Sequence, residues 1–228
     1  LQTDFIDVER IEVLRGPQGT LFGQNSTGGA INVISKAPST SDLEGKTDLT
    51  VGNYGLTKTR GSINLPISDS VATRTSISVT KRDGFSDNIF NGQELDDADH
   101  LSFRTDWLFE TSDTSSIRVF AQYFDADNNG AAMKGFYDTT PDKRELSQNT
   151  LSKYELESTV IGAIGEADLG FASLKALASW QEDDIYVIRD NDRHNLFHDP
   201  SSVSSNAPFY VGVEFNPESQ LQETTTFE

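Results

Sequence analysis

From residue 44 onward, this chain alternates apolar and polar side chains with a period of two, the pattern of β-strands whose two faces meet different surroundings. In the first strand, for example, Thr47, Leu49 and Val51 share one face and Lys46, Asp48 and Thr50 share the other. The pattern predicts eight strands, near residues 44–52, 57–67, 71–82, 100–110, 115–125, 154–168, 173–187 and 219–228. The fifth is the least regular, because Phe120 and Phe124 lie on its otherwise polar face.

The connections between these strands alternate in length. After the first turn, short connections at 68–70, 111–114 and 169–172 take turns with long ones at 83–99, 126–153 and 188–217. Outer-membrane β-barrels have short periplasmic turns and long extracellular loops, and strands of ~10 residues suit a tilted membrane crossing. The alternation therefore favours an all-β, antiparallel transmembrane barrel, and Trp107, Phe109 and Phe171 would lie in its periplasmic aromatic girdle. A soluble sheet with an aromatic core is the alternative interpretation.

Composition narrows the possible functions. The formal net charge of −18 argues against nucleic acid as a partner, because binding requires Lys and Arg to neutralise phosphates. Cysteine is absent, and no apolar run approaches the ~20 residues of a membrane-spanning helix. We interpret the many acidic residues as side chains of loops that are exposed to water.

The segment Val8–Pro38 is the most distinctive part of the sequence. An alternating strand ends at Arg15-Gly16-Pro17, where the proline ring fixes φ, and a second apolar strand begins at Ala30. Between them lie Gly19, Gly23, Gly28 and Gly29, which mark unusual dihedral angles or close backbone approach.

This segment resembles the end of the plug domain of TonB-dependent outer-membrane receptors. The matching residues are Glu12–Pro17, Phe22-Gly23 and Gly28–Pro38. The resemblance implies a 22-stranded barrel closed by an α/β plug, of which this chain holds the C-terminal part of the plug (residues 1–40) and the first barrel strands (residues 41–228). It also implies an internal piece of a longer, monomeric protein of the Gram-negative outer membrane, surrounded by outer-membrane lipid.

The resemblance further implies a transporter that takes up a scarce nutrient, most often an iron–siderophore complex, when the inner-membrane TonB complex pulls on the plug. The segment that contacts TonB would precede Leu1. Residues 83–100 contain six acidic side chains and neither Lys nor Arg, which favours a neutral or weakly anionic iron complex over a highly charged one.

The resemblance also suggests where the plug is held. Arg15 is expected to pair with a carboxylate of the barrel wall. Arg10, Gly16, Pro17, Gly23, Gly28 and Gly29 complete the predicted plug motif and plug–barrel latch. Ligand-binding residues are not predicted.

Other candidate sites are weak. Gly23–Gly28 has phosphate-loop spacing, but Gly29 and Ala30 stand where Lys and Ser or Thr are needed. The segment Asp125–Gly130 matches half of a calcium loop, yet Phe136 replaces the closing Glu, so we interpret it as the start of a solvated loop. A cluster of Asp190, Asp192, His194, His198 and Asp199 is interpreted as an ordinary loop. We therefore predict no metal, no cofactor and no enzymatic activity.

Two alternatives remain open. One is a small autonomous outer-membrane barrel, since eight strands can close on themselves. The other is a secreted β-sandwich that serves as a binding module.

Overall fold

A computed structural model describes residues 6–16, 28–136, 138–190 and 193, and the backbone of residues 218–227. Its described part contains strands and no helix. The strands are β1 (Val8–Arg15), β2 (Gly29–Ser35), β3 (Glu44–Val51), β4 (Thr57–Ser68), β5 (Val71–Arg82), β6 (Ser86–Asn88), β7 (Gln93–Leu95), β8 (Ala98–Ser112), β9 (Ser115–Asn128), β10 (Glu145–Leu146), β11 (Lys153–Asp168), β12 (Ser173–Ile188) and β13 (Glu218–Phe227). No helix within these ranges is long and apolar enough to cross a membrane.

The main element is an eight-stranded sheet in the order β13-β12-β11-β9-β8-β5-β4-β3. Every neighbouring pair in it is antiparallel. Strands that follow one another in the sheet are joined by short turns or by the long connections, so the sheet is a meander. The strand ends lie within three residues of those predicted from the alternation of side chains.

The two faces of this sheet are inverted relative to a soluble protein. One face buries polar and charged side chains, among them Asn64, Arg74, Ser78, Asp106 and Asp183. The opposite face exposes large apolar side chains, namely Ile63, Ile77, Phe103, Trp107, Phe109, Ile117, Val119 and Ile161. This is the distribution expected of a wall whose apolar side meets lipid and whose polar side faces a lumen.

The sequence pattern suggested that the long connections are simple loops. Two of them instead contain short strands. The connections 83–97 and 129–152 pair through a small three-stranded sheet, β10-β6-β7, which buries Leu95 and Leu146. Asn88 ties the two connections together: its side-chain amide donates to the Gln148 carbonyl (2.9 Å), and the Gln148 N–H donates to Asn88 Oδ1 (3.1 Å). Strands of two or three residues carry no readable alternation of side chains, so the sequence pattern does not predict them.

Before the large sheet, β1 and β2 form an antiparallel hairpin, in which Arg15 pairs with Gly29 and Val8 with Ser35. The hairpin is followed by residues 36–43, which lead directly into β3. These residues bring the hairpin against the polar face of the sheet, where the candidate functional site lies.

Candidate functional site: the contact between the hairpin and the sheet

The central contact joins Asp7, just before β1, to Arg74 of β5, 67 positions later in the chain. Arg74 Nη2 donates to Asp7 Oδ1 at 2.8 Å, and Arg74 Nε donates to Asp7 Oδ2, so the guanidinium binds the carboxylate with two parallel hydrogen bonds. The Arg74 side chain is 5% exposed and that of Asp7 is 13% exposed. Because both charges are withdrawn from water, each depends on the other for compensation.

Arg74 also bonds a carboxylate of the sheet itself. Its Nη1 donates to Glu44 of β3 at 3.2 Å, and Glu44 in turn accepts from Lys36, which follows β2, at 2.7 Å. The Lys36 N–H donates to the Asp7 carbonyl at 2.9 Å, which closes the chain of contacts back onto the hairpin. Four side chains from the hairpin, its linker and the sheet therefore form one network.

Asn64 of β4 holds the linker in place. Its Oδ1 accepts from the Ser39 N–H at 2.9 Å, and its Nδ2 donates to the carbonyls of Ser39 (2.9 Å) and Asp42 (2.6 Å). The Asn64 side chain is buried and cannot bond water, so these three hydrogen bonds satisfy its polar atoms instead. They fix residues 39–42 to the wall of the sheet.

The register explains why these residues meet. Glu44 pairs with Asn64, Asn64 with Arg74, and Arg74 with Asp106 of β8. Directly paired residues of neighbouring strands share a face of the sheet, so all four stand in one row on the polar face.

The row continues into a second charged cluster. Asp106, which is 2% exposed, accepts from Arg104 Nε at 2.7 Å and from Arg118 Nε at 2.8 Å. Arg104 lies over the ring of Phe120, with its guanidinium carbon 4.7 Å from the ring centre. Gly162 of β11 makes room for this ring, because a Cβ at that position would come within 2.4 Å of it.

The predicted motif residues have different roles in the structure. Arg10 is exposed and bonds Glu9 (2.9 Å) and Glu12 (2.8 Å) of its own strand. The hydrogen bonds from Arg10 and Asn32 lower the pKa of Glu12. Arg15 lies at the end of β1 opposite Gly29, and its pairing with a barrel carboxylate stays a prediction. Pro17 and Gly23 lie outside the described residues.

Three glycines of the motif are described, and two of them have positive φ. Gly16 has a φ of +84° and Gly29 a φ of +133°, a region that L side chains rarely adopt. At Gly29 an added Cβ would also lie 2.4 Å from the Leu14 carbonyl oxygen, whereas at Gly28 it would meet nothing within 4 Å. The hairpin therefore requires glycine at position 29 for both its backbone and its close packing.

These two neighbours form a matched pair for mutation. Gly29→Ala should destabilise the hairpin by about 1–2 kcal/mol or more, because it adds both an unfavourable φ and a clash with the partner strand. Gly28→Ala should change its stability by less than about 1 kcal/mol. Amide hydrogen exchange at Ile11–Leu14 in the two variants tests this; equal protection in both would contradict the assigned role of Gly29.

The candidate metal sites are not supported. Asp125, Asp127 and Asn128 belong to β9, so the predicted loop start is wrong: the strand continues three residues beyond its predicted end. Lys153 binds Asp127. Asp190 accepts from the N–H groups of Arg193 (2.8 Å) and Thr150 (3.4 Å), while Asp192, His194, His198 and Asp199 lie outside the described residues. In the portion of the chain that the structure covers, no group of three or more acidic or His residues could hold a metal ion.

Known proteins that are similar to this chain in sequence or in structure are consistent with the fold described above. No family model matches the chain. The metal-pseudopaline receptor of Pseudomonas aeruginosa is 25% identical over 154 residues, which cover 64% of this chain and 22% of that receptor. The pesticin receptor of Yersinia pestis is 53% identical over 32 residues, or 14% of this chain and 5% of the receptor.

Among solved structures, the ferric yersiniabactin uptake receptor of Yersinia pestis superposes with a TM-score of 0.70 and 21% identity, over 81% of this chain and 30% of the receptor. The chain thus spans less than a third of the length of each of these relatives. In its motif, its curated relatives and its inverted sheet, this chain is similar to the TonB-dependent receptors of the Gram-negative outer membrane, which are not enzymes.

Proposed function

We propose that this chain forms part of a TonB-dependent transporter that takes up a scarce nutrient, most often an iron–siderophore complex, across the outer membrane. One observation carries the proposal: a small N-terminal hairpin is held by a buried ion pair against the polar face of a sheet whose other face is apolar and exposed. In this proposal residues 1–40 belong to the plug and residues 41–228 form the first eight strands of the barrel wall. The apolar face meets outer-membrane lipid.

The arrangement of the sheet favours this proposal over the two alternatives. The described strands leave β3 and β13 at opposite edges of one open sheet, rather than paired with each other as in an autonomous eight-stranded barrel. A β-sandwich would pack the apolar face of one sheet against another, whereas the apolar face here is exposed. The sheet would become part of a larger, monomeric barrel.

The short turns at 69–70, 113–114 and 169–172 would then face the periplasm, and the connections that carry β6, β7 and β10 would face the outside. Arg74 is the fourth residue of β5, which begins directly after the short turn at 69–70. The hairpin would accordingly be held near the periplasmic end of the lumen, where a pull from the TonB complex would reach it. The segment that contacts TonB would lie before Leu1.

The ligand proposal rests on chemistry at the outer end. The segment 83–100 carries six acidic side chains, and the relatives include receptors whose names specify metal-pseudopaline and ferric yersiniabactin. A negative field at the mouth disfavours the approach of a strongly anionic complex. We therefore assign a neutral or weakly anionic iron complex, such as a ferric hydroxamate, as the transported ligand.

Growth of iron-starved cells tests this function. Cells that express the full-length receptor should grow on a ferric hydroxamate as the sole iron source. Cells without the receptor should not, and neither should cells with the receptor but without an active TonB complex. Rescue by a triply charged catecholate alone would contradict the charge argument. Rescue only by a sugar or by cobalamin would contradict the assignment of iron.

A further inference from the structure

Arg74 of the sheet holds the Asp7 carboxylate in a two-bond contact. Arg74 presents Nε and Nη2 side by side to Asp7, which is the geometry in which a guanidinium recognises a carboxylate. Its remaining nitrogen, Nη1, is held by Glu44, so the fork cannot easily turn away from Asp7. With the hairpin in place, the Arg74 side chain is only 5% exposed.

Space lies next to this contact. A cavity of about 230 Å³ adjoins Asp7 and is bounded by Ile6 and Val8 on one side and by the sheet on the other. The sheet contributes Lys46, Asp48, Arg60 and Ser62 to its lining. The cations Lys46 and Arg60 share Asp48 at 3.5 and 3.9 Å, so the lining carries more positive than negative charge from the sheet. Asp7 lines this cavity and bonds Arg74, so a small anion in the cavity lies next to the position that the Asp7 carboxylate occupies.

We infer that Arg74 and the adjoining cavity form a carboxylate-binding site, which Asp7 fills in this structure and which a small carboxylate can occupy once Asp7 is withdrawn. The hairpin thus acts as a tethered ligand of the wall. That a carboxylate of the transported molecule enters the site during uptake rests on the proposed function. The existence of the site does not, because Asp7 already shows which group it accepts.

The backbone makes Asp7 a suitable residue to replace. Its φ is +53°, in the left-handed region, where glycine is free of strain and asparagine is well tolerated. Asp7→Gly therefore empties the site without penalising the backbone, and Asp7→Asn fills it with a neutral group of the same size. The pair separates the effect of an empty site from that of a lost charge.

Chemical rescue tests the inference. In the full-length receptor purified in detergent, Asp7→Gly should lower the unfolding temperature. Sodium acetate should restore it saturably, by at least about three times the shift that sodium chloride produces at equal ionic strength. Acetate should act no more than chloride on Asp7→Asn, on the double variant Asp7→Gly/Arg74→Lys, or on Glu12→Gly, which removes a hairpin carboxylate bonded to Arg10 and Asn32. Equal effects of acetate and chloride on Asp7→Gly would overturn the inference.

If Asp7→Gly does not assemble, the unsubstituted receptor provides the measurement. Acetate should then compete with Asp7 and speed amide hydrogen exchange in Val8–Arg15 more than chloride does, and equal exchange in both salts would overturn the site. Neither experiment measures transport, so a failure of the proposed function leaves their result unchanged.

Discussion

Replacing Arg74 with methionine is expected to release the N-terminal hairpin from the sheet. The substitution keeps most of the side-chain volume but leaves the Asp7 carboxylate without its buried cation. Removing one partner of a buried ion pair typically costs about 3–5 kcal/mol, because the remaining charge is stranded. We expect a value near the lower limit, since Asp7 retains some contact with water and a detached hairpin can hydrate it.

A double-mutant cycle measures the pair itself. Arg74→Met, Asp7→Asn and the double variant should give a coupling free energy of at least about 2 kcal/mol, read from hydrogen exchange across β1 and β2 in the full-length receptor. Arg10→Met is the matched control: Arg10 is exposed and bonds Glu9 and Glu12 of its own strand, so its loss should cost less than about 1 kcal/mol. Equal effects at positions 74 and 10 would show that the hairpin is held by other contacts.

Replacing Asp106 with asparagine should weaken the wall itself rather than the hairpin. Asp106 is buried and receives hydrogen bonds from two arginines, Arg104 and Arg118. Asparagine is nearly isosteric but neutral, so two guanidinium groups would lose their counter-charge at once. A loss of about 3–5 kcal/mol in the free energy of unfolding is expected for such a buried site.

Denaturant unfolding of the receptor, followed by tryptophan fluorescence, reports this loss, since Trp107 adjoins Asp106 in β8. Asp113, in the exposed turn between β8 and β9, supplies the control, and Asp113→Asn should change stability by less than about 0.5 kcal/mol. Should Asp106→Asn unfold at the same denaturant concentration as Asp113→Asn, the cluster would contribute specificity of register rather than stability.

Much of the sheet could be predicted from the sequence, because its strands have the two features that sequence patterns report. Alternation of side chains located each strand of the large sheet, and clusters such as Ser68-Asp69-Ser70 located its turns. Each end of β8 lies two residues beyond its predicted position, and the end of β9 lies three residues beyond. The end of β9 was placed too early because Asp125–Asn128 combine polar and small residues, which is typical of a loop.

The contact that holds the hairpin could not be predicted in the same way. The sequence suggested that Arg15 pairs with a barrel carboxylate, which stays a prediction, whereas the described contact joins the Asp7 carboxylate to Arg74 of the sheet. Local patterns state which face of a strand a residue occupies. They do not state which of many charges, 67 positions apart, will meet, because that depends on how the linker places the hairpin.

The two phenylalanines that blurred the fifth predicted strand have separate explanations. Phe124 packs with Ala126 and Leu156 in a small apolar cluster on the otherwise polar face. Phe120 supports Arg104 and depends on the space above Gly162. Both phenylalanines are explained by residues on other strands. In the sequence pattern of a single strand they therefore look like irregularities.

The positions of Asp7 and Asn64 also set the order in which this region would yield to a mechanical force. Tension applied to the chain on the N-terminal side of Ile6 loads the Asp7–Arg74 contact first, because Asp7 precedes every pair of the hairpin. The hairpin would then open from Val8 and Ser35 towards Arg15 and Gly29, one ladder bond at a time, which takes less force than shearing the bonds together. The Asn64 bonds to residues 39–42 come last in this sequence. The wall would thus keep hold of the linker while the hairpin unzips, and the same tether would guide its return.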